Sequence, residues 1–290
     1  MLDGLTGKIR RCYTSLPVKR IGILYHPLRE KALHLSERLE DFLSSRGVSS
    51  WRCSTRDDDE ARSKVAGTEL VLSIGGDGTI LRVARIAAPL SVPILGINLG
   101  RLGFITEVDE DEVLSYLPGL LNGKGWIEER AMLEAQVADK SLHALNDIVL
   151  RSVAVRLVNI EARIDGTALT TYRADGVIVA SATGSTSYSL ASGGPILHPQ
   201  AREIVLQPVS CHLGLSHALV LPPQSIVDLK IAPGERVILS IDGQTELPLS
   251  DRQSVRVKLS PYIARFLRIH EPTYFYSSLW QKLGGRRNEN

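Results

Sequence analysis

Leu70-Val71-Leu72-Ser73-Ile74-Gly75-Gly76-Asp77-Gly78-Thr79 decides how the first half of this chain is read. An apolar run of strand length breaks into glycines and restarts with apolar residues at helical spacing: Ile80, Leu81, Val83, Ala84, Ile86 and Ala87. A strand that turns through glycines into a helix is a phosphate-binding layout. Backbone N–H groups can close on an anion there, and the helix N-terminus adds partial positive charge. Asp77 puts negative charge beside a place built for phosphate, so it suits a base or a metal-side ligand better than a phosphate holder. The competing reading is a plain turn, because Asp-Gly is a common hairpin signal and the chain holds five such pairs. The residues after Asp77-Gly78 repeat with helical rather than alternating period, which fits a hairpin poorly. Asp165-Gly166, between the alternating segments 155–164 and 167–171, reads as one.

Working outward, strand and helix signals alternate across the first half. Residues 20–25 read as a short strand and 29–46 as a helix with Leu35, Leu39, Phe42 and Leu43 on one face, stopped by Gly47. Residues 48–53 are a second strand. The acidic run 57–60 reads as a solvated loop or helix start rather than a metal site. Residues 92–97 form a further buried strand that opens into Asn98-Leu99-Gly100-Arg101-Leu102-Gly103-Phe104, and 109–117 read as a short helix ended near Pro118-Gly119. This alternation implies an α/β domain with a Rossmann-like parallel sheet, spanning 1–125. From 126 to 270 the segments become short, β-branched and separated by turn residues, which implies a β-rich, sandwich-like second domain. Ile241-Asp242-Gly243-Gln244 is a strong hairpin signal inside it. Residues 271–290 form a tail whose Tyr274, Phe275, Tyr276 and Trp280 suit an anchor docking on the first domain, and 286–290 read as disordered.

Bulk properties narrow the classes. A chain of 290 residues has length for about two domains. A formal net charge of +2 demands no polyanionic partner, and 5% aromatic residues argue against a stacking platform for single strands, so no nucleic acid is expected. No apolar span reaches membrane length, and the first residues lack a signal-like apolar region; a cytoplasmic protein is expected. Cys12, Cys53 and Cys211 and the seven histidines show no metal-ligand spacing.

A second constellation follows the strand 175–180. From Ala180 to Gly194, 13 of 15 residues are Gly, Ala, Ser or Thr, the exceptions being Tyr188 and Leu190. Small side chains let a flat ligand approach, hydroxyls supply donors and acceptors, and Tyr188 offers a ring face. A small-residue helix packed on the sheet explains the same composition and is compatible with it. A third signal is Asn146-Asp147, polar residues at the start of an apolar strand. Asn can pair with a base edge and Asp can accept both hydroxyls of a ribose; an Asx turn explains the pair equally well.

These residues together closely resemble the NAD kinase family. GGDGT at 75–79, NLGRLGF at 98–104, the Asn-Asp pair at 146–147, DGVIVASATGSTSYSLASGGPILHP at 175–199, IDGQ at 241–244 and FYSSLWQKLG at 275–284 occur in the family's order over most of the chain. GGDGT alone is shared with lipid kinases; the long 175–199 run makes the assignment specific. The resemblance implies transfer of the terminal phosphoryl of ATP to the adenosine 2′-hydroxyl of NAD, with Mg²⁺ or another divalent cation, in a homodimer or homotetramer.

On the same resemblance, Asp77 matches the general base. Gly75, Gly76, Gly78 and Thr79 shape the phosphate loop with Arg82. Asn98, Asn146 and Asp147 fall among NAD-binding positions, as do Thr186, Ser187, Tyr188 and Ser189, and Asp175 matches a carboxylate near the nicotinamide end. Arg156, Arg173 and Gln244 also match ligand-contact positions, a charged residue at 173 being associated with preference for NAD over NADH. The metal ligands are not assigned. Two departures stand out: Ala182 replaces the proline usual in the family, which leaves the loop less pre-set in φ, and Gly285 stands where an aromatic often follows the tail motif. A lipid kinase sharing the loop would need an apolar acceptor groove or a membrane-facing stretch, and neither is evident. A non-catalytic NAD-sensing module would be expected to lack Asp77.

Overall fold

The computed structural model describes residues 17–100, 103–154 and 156–283. Cys12, the N-terminal segment, Arg101 and Leu102 of NLGRLGF, Gly285 and the 286–290 tail lie outside the described residues. The chain divides into two compact units, one of residues 1–128 with 265–290 and the other of residues 129–264.

In the first unit the order is β1 (Arg20–Tyr25), α1 (Glu30–Ser44), β2 (Ser49–Ser54), α2 (Asp58–Val65), β3 (Leu70–Gly75), α3 (Asp77–Ala87), β4 (Ile94–Asn98), β5 (Val108–Asp109) and α4 (Val113–Leu121). The strands lie side by side as β2-β1-β3-β4, all parallel. β3 is buried at every position, as a strand with helices on both faces must be. α1 lays Ala32, Leu35, Leu39 and Leu43 on the core formed by Ile21, Ile23, Leu70, Leu72 and Ile74. The expected helix at 109–117 starts and ends later, at Val113–Leu121, and Pro118 lies inside it. Asp109 instead ends β5, and its carboxylate accepts the N–H groups of Asp111 and Glu112, an Asx turn before the helix. Val113, Leu117, Leu120 and Leu121 are buried, so packing holds the helix past its proline.

The second unit begins within β6 (Trp126–Val137) and continues through β7 (Lys140–Ala144), β8 (Asp147–Ser152), β9 (Val158–Ile164), β10 (Thr167–Ala174), β11 (Gly176–Ala180), the one-turn α5 (Tyr188–Ala191), β12 (Ile204–Val209), β13 (Leu219–Leu221), β14 (Val227–Ile231), β15 (Val237–Ile241), β16 (Thr245–Leu249) and into β17 (Ser254–Arg268). One antiparallel sheet runs β13-β12-β11-β8-β15-β16. A second joins β10, β9, β14 and the start of β17. Ile148, Leu150, Val177, Val179 and Leu239 of the first sheet share one core with Ile160, Tyr172, Leu229 and Val257 of the second. The two units have the α/β and β-rich folds that the sequence pattern implies, with 265–270 grouped in the first unit.

The end of β17 returns to the first unit, where Phe266 pairs with Ile94 in parallel register. Arg268 is buried there with two carboxylates. Its guanidinium donates to Glu107 at 3.0 Å and Glu128 at 2.7 Å, and to the carbonyl of Ile105 at 2.8 Å. Burial opposes ionisation of Glu107. Arg268, the His270 ring and the N–H groups of Ile269 and His270 outweigh it and hold the carboxyl at about 2. The tail follows as α6 (Tyr274–Lys282). Tyr274 stacks on His270 with ring centroids 4.3 Å apart, and Lys282 lies over the Phe104 ring. Of the four aromatics expected to anchor the tail, Tyr276 and Trp280 remain exposed.

Candidate active site

The C-terminal ends of the parallel strands β3 and β4 gather the first group of residues, as expected of a ligand site in an open α/β sheet. Gly75 pairs with Asn98 across β3 and β4. A Cβ on Gly75 would lie 2.2 Å from Thr79 Oγ1, so only glycine lets Thr79 fold back against the loop. Thr79 Oγ1 itself is buried without a partner among the described residues. The Gly76 carbonyl accepts the N–H of Thr79 at 2.9 Å and begins α3. Asn98 donates through its amide to Gly100 O at 2.7 Å.

Asp77, the first residue of α3, is half-buried, and its carboxylate reaches back to the loop after β4. Oδ2 accepts the N–H of Phe104 at 2.8 Å and Oδ1 that of Ile105 at 3.1 Å. A Cβ on Gly103 would lie 2.2 Å from Oδ1, so the second glycine of NLGRLGF makes room for this carboxylate. Arg268 holds the carbonyl of Ile105. Asp77 therefore sits in a fixed place, and each of its oxygens keeps a lone pair beyond the backbone bond.

Cationic side chains crowd the same strand ends. His26, next after β1, has its imidazole pKa lowered first by burial and then by Arg29, Arg56 and Arg82. None of these three arginines has an ion pair among the described residues, which leaves a cationic cluster suited to phosphate. Arg82 was expected from the family pattern; His26, Arg29 and Arg56 were not. The signal that could have found them is position, since His26 directly follows β1 and Arg56 lies two residues past β2.

In the second unit the strands β8 and β11 bring the other constellations together. Ala180 pairs with Asp147, so the small-residue run leaves the sheet beside the Asn-Asp pair. Ser181 donates its N–H to Asn146 O at 2.9 Å and its hydroxyl to Leu145 O at 2.5 Å. A Cβ on Gly184 would come within 2.0 Å of Asn146 O, which is why this run is small at its first turn. Residues 184–186 form a single 3₁₀ turn and Tyr188–Ala191 one turn of helix. Thr186 is half-buried, while Ser187 and Tyr188 are exposed. The Asn146 Oδ1, Thr183 Oγ1 and Ser189 Oγ atoms are buried without partners among the described residues, a concentration of unsatisfied polar atoms that a polar ligand would relieve. The Asp147 carboxylate is 5% exposed. Burial, and then the charge of Asp242, push its pKa up to about 7.

Residues 50–125 match the ATP-NAD kinase N-terminal domain and residues 145–269 the ATP-NAD kinase C-terminal domain. The chain is 42% identical over 274 residues to an NAD kinase of Dehalococcoides mccartyi, covering 92% of this chain and 96% of that one. It is 39% identical over 272 residues to an NAD kinase of Chloroflexus aurantiacus, covering 92% and 99%. The chain belongs to the ATP-NAD kinase family. Among solved structures, its fold is similar to that of a yeast NADH kinase complexed with NADH (TM-score 0.79, 24% identity, 95% of this chain and 90% of that one). It is also similar to an NAD kinase from Archaeoglobus fulgidus in complex with ATP (TM-score 0.74, 23% identity, 91% and 98%). Neither the lipid-kinase nor the NAD-sensing alternative is favoured.

Not every residue carried over from the ATP-NAD kinase pattern lies with these groups. Within the second unit, Gln244 sits in the β15–β16 turn beside Asp242 and so near Asp147. Asp175 precedes β11 at the end opposite Ala180, and Arg173 is exposed on β10. Arg156 is exposed, 4.0 Å from Glu235. Among the described residues one cluster of metal-capable groups occurs, Cys53 with Asp57 and Glu60. Burial and Glu60 push the Cys53 thiol up to about 12, and a protonated thiol suits neither Mg²⁺ nor another hard cation.

Proposed function

We propose that this ATP-NAD kinase phosphorylates the adenosine 2′-hydroxyl of NAD with Asp77 as general base and Asn146 and Asp147 as the ribose- and base-holding pair. The observation that supports the assignment most directly is the placement of Asp77. It is a carboxylate at a helix N-terminus, fixed by two backbone N–H groups in a glycine loop, while Arg29, Arg56 and Arg82 gather about His26 after β1 without ion pairs among the described residues. A ribose hydroxyl is a poor nucleophile at neutral pH, and phosphoryl transfer asks mainly for alignment and charge stabilisation. Asp77 accepts the hydroxyl hydrogen bond and takes the proton late in the transfer. The glycine loop at the N-terminus of α3, with Arg82, Arg29 and Arg56, stabilises negative charge on the phosphates.

On the NAD side, the unpartnered Asn146 Oδ1 accepts from the adenine amino group, and ionised Asp147 accepts the ribose hydroxyls. Thr186, Ser187, Tyr188 and Ser189 border the dinucleotide, with Asn98 and Gln244 as further contacts. Arg156, Arg173 and Asp175 belong to the nicotinamide end. Mg²⁺ needs few protein ligands because ATP oxygens supply most of its coordination, and the remaining lone pairs of Asp77 fit that demand. When bound, the ion lowers the charge on the leaving diphosphate. We further infer a cytoplasmic homodimer or homotetramer. Among the described residues no helix is long and apolar enough to cross a membrane.

The test is NADP formation by purified protein with NAD, ATP and Mg²⁺. Asp77→Asn is expected to keep NAD binding within a few-fold and to lower turnover by roughly 10²-fold or more. Turnover equal to wild type would remove Asp77 from the role of base.

A further inference from the structure

Asp242 lies outside the residues that the family pattern assigns to ligand contact, yet it does more than turn the chain. Its side chain is nearly buried, and its carboxylate gathers three successive backbone donors. Oδ2 accepts the N–H of Leu145 at 3.0 Å, and Oδ1 accepts those of Asn146 at 2.7 Å and Asp147 at 3.2 Å. The Asp242 N–H in turn donates to Asp147 O at 2.9 Å. Side chains of Asn and Asp at a strand entry ordinarily compete for such nearby N–H groups and fold onto their own backbone. Here Asp242 has already taken those donors, and Asn146 Oδ1 is left without a partner. Among the described residues the Asp147 carboxylate also has none.

We propose that Asp242 is the positioning residue of the Asn146–Asp147 pair, fixing the 145–147 backbone so that both side chains stay available to NAD. This rests on the NAD kinase reading given above. The hydrogen bonds to Asp242 are charge-assisted and converge from consecutive residues, an arrangement that holds an acceptor firmly. The same charge is the one that faces Asp147, and it adds to the effect of burial on that carboxyl. Asp242 therefore sets both the geometry and the protonation of the residue that receives the ribose.

The experiment is steady-state kinetics of full-length protein with NAD and ATP varied separately, between pH 5.5 and 8.5, for wild type, Asp242→Ala and Asp242→Asn. Asp242→Ala should raise the KM for NAD roughly 10- to 100-fold, with the KM for ATP and kcat within about three-fold. Asn keeps a carbonyl for two of the three donors, so its KM should rise less. In wild type the KM for NAD should fall as pH rises through about 7, because ionised Asp147 accepts the hydroxyls. In Asp242→Asn that limb should move to lower pH, since the facing negative charge is gone. A role in stability alone would leave the limb where it is. A KM for NAD within two-fold of wild type in folded Asp242→Ala, or an unmoved limb in Asp242→Asn, overturns the proposal. If Asp242→Ala does not fold, the Asn variant decides. Wild type that makes no NADP at all would instead overturn the kinase reading itself.

Discussion

Two hairpins in the second unit turn through the same dipeptide, Asp165-Gly166 and Asp242-Gly243, with nearly the same backbone. Their φ values are +50 and +80 in one and +53 and +64 in the other, as turns with both central residues left-handed require. Each aspartate also makes the same exchange with a distant segment. Asp165 donates its N–H to Ile226 O and accepts the N–H of Ile226 at 2.8 Å. Asp242 does likewise with Asp147, then takes the N–H groups of Leu145 and Asn146 as well. Asp165 is exposed and Asp242 is 7% exposed. The dipeptide specifies the turn, and the burial of its surroundings decides whether the carboxylate becomes part of a site.

The sharpest way to break this contrast is to remove each carboxylate. Asp242→Ala leaves three N–H groups near-buried without acceptors and should cost about 3 kcal/mol or more in denaturant unfolding. Next in size, Gly184→Ala attacks the same loop from the other side, because its methyl meets Asn146 O. It should cost roughly 1–3 kcal/mol and raise the KM for NAD several-fold while leaving that for ATP unchanged.

A smaller effect comes from Asp147→Asn. With a folded pKa of about 7 against 3.8 in the unfolded chain, Asp147 binds its proton more tightly when folded, so stability falls as pH rises between those values. Asn cannot titrate, and its melting temperature should exceed wild type at pH 8 and approach it at pH 4, while NAD binding weakens. Smallest of all, Asp165→Ala loses one exposed hydrogen bond and should cost about 0.5–1 kcal/mol with kinetics unchanged. A loss equal to that of Asp242→Ala would dissolve the contrast.

The same dipeptide shows what was legible from sequence. The period that follows Asp77-Gly78 separated a helix start from a hairpin, and the flanks of Asp165-Gly166 identified a turn. Both are local properties, carried within a dozen residues. The partners of Asp242 lie 95 to 97 residues away, and no local pattern announces them. The gathering of His26, Arg29, Arg56 and Arg82 was hidden for the same reason, the four being spread over three connections of the sheet. β12 escaped notice because Pro208 interrupts an apolar run, although the strand accommodates it opposite Val177. Pro118 misled in the other direction, suggesting a stop where buried leucines carry α4 onward.

Arg268 has a consequence for how the polypeptide is made. Its two acidic partners precede it by 140 and 161 residues, so the ribosome delivers Glu128 and Glu107 long before their cation. Nascent domains generally fold as units while synthesis proceeds, but here the whole of 129–264 must be translated before the first unit can bury those acids with a counter-charge. Emergence of the 265–270 segment, not of the first 128 residues, is therefore the event that lets the glycine-loop domain mature.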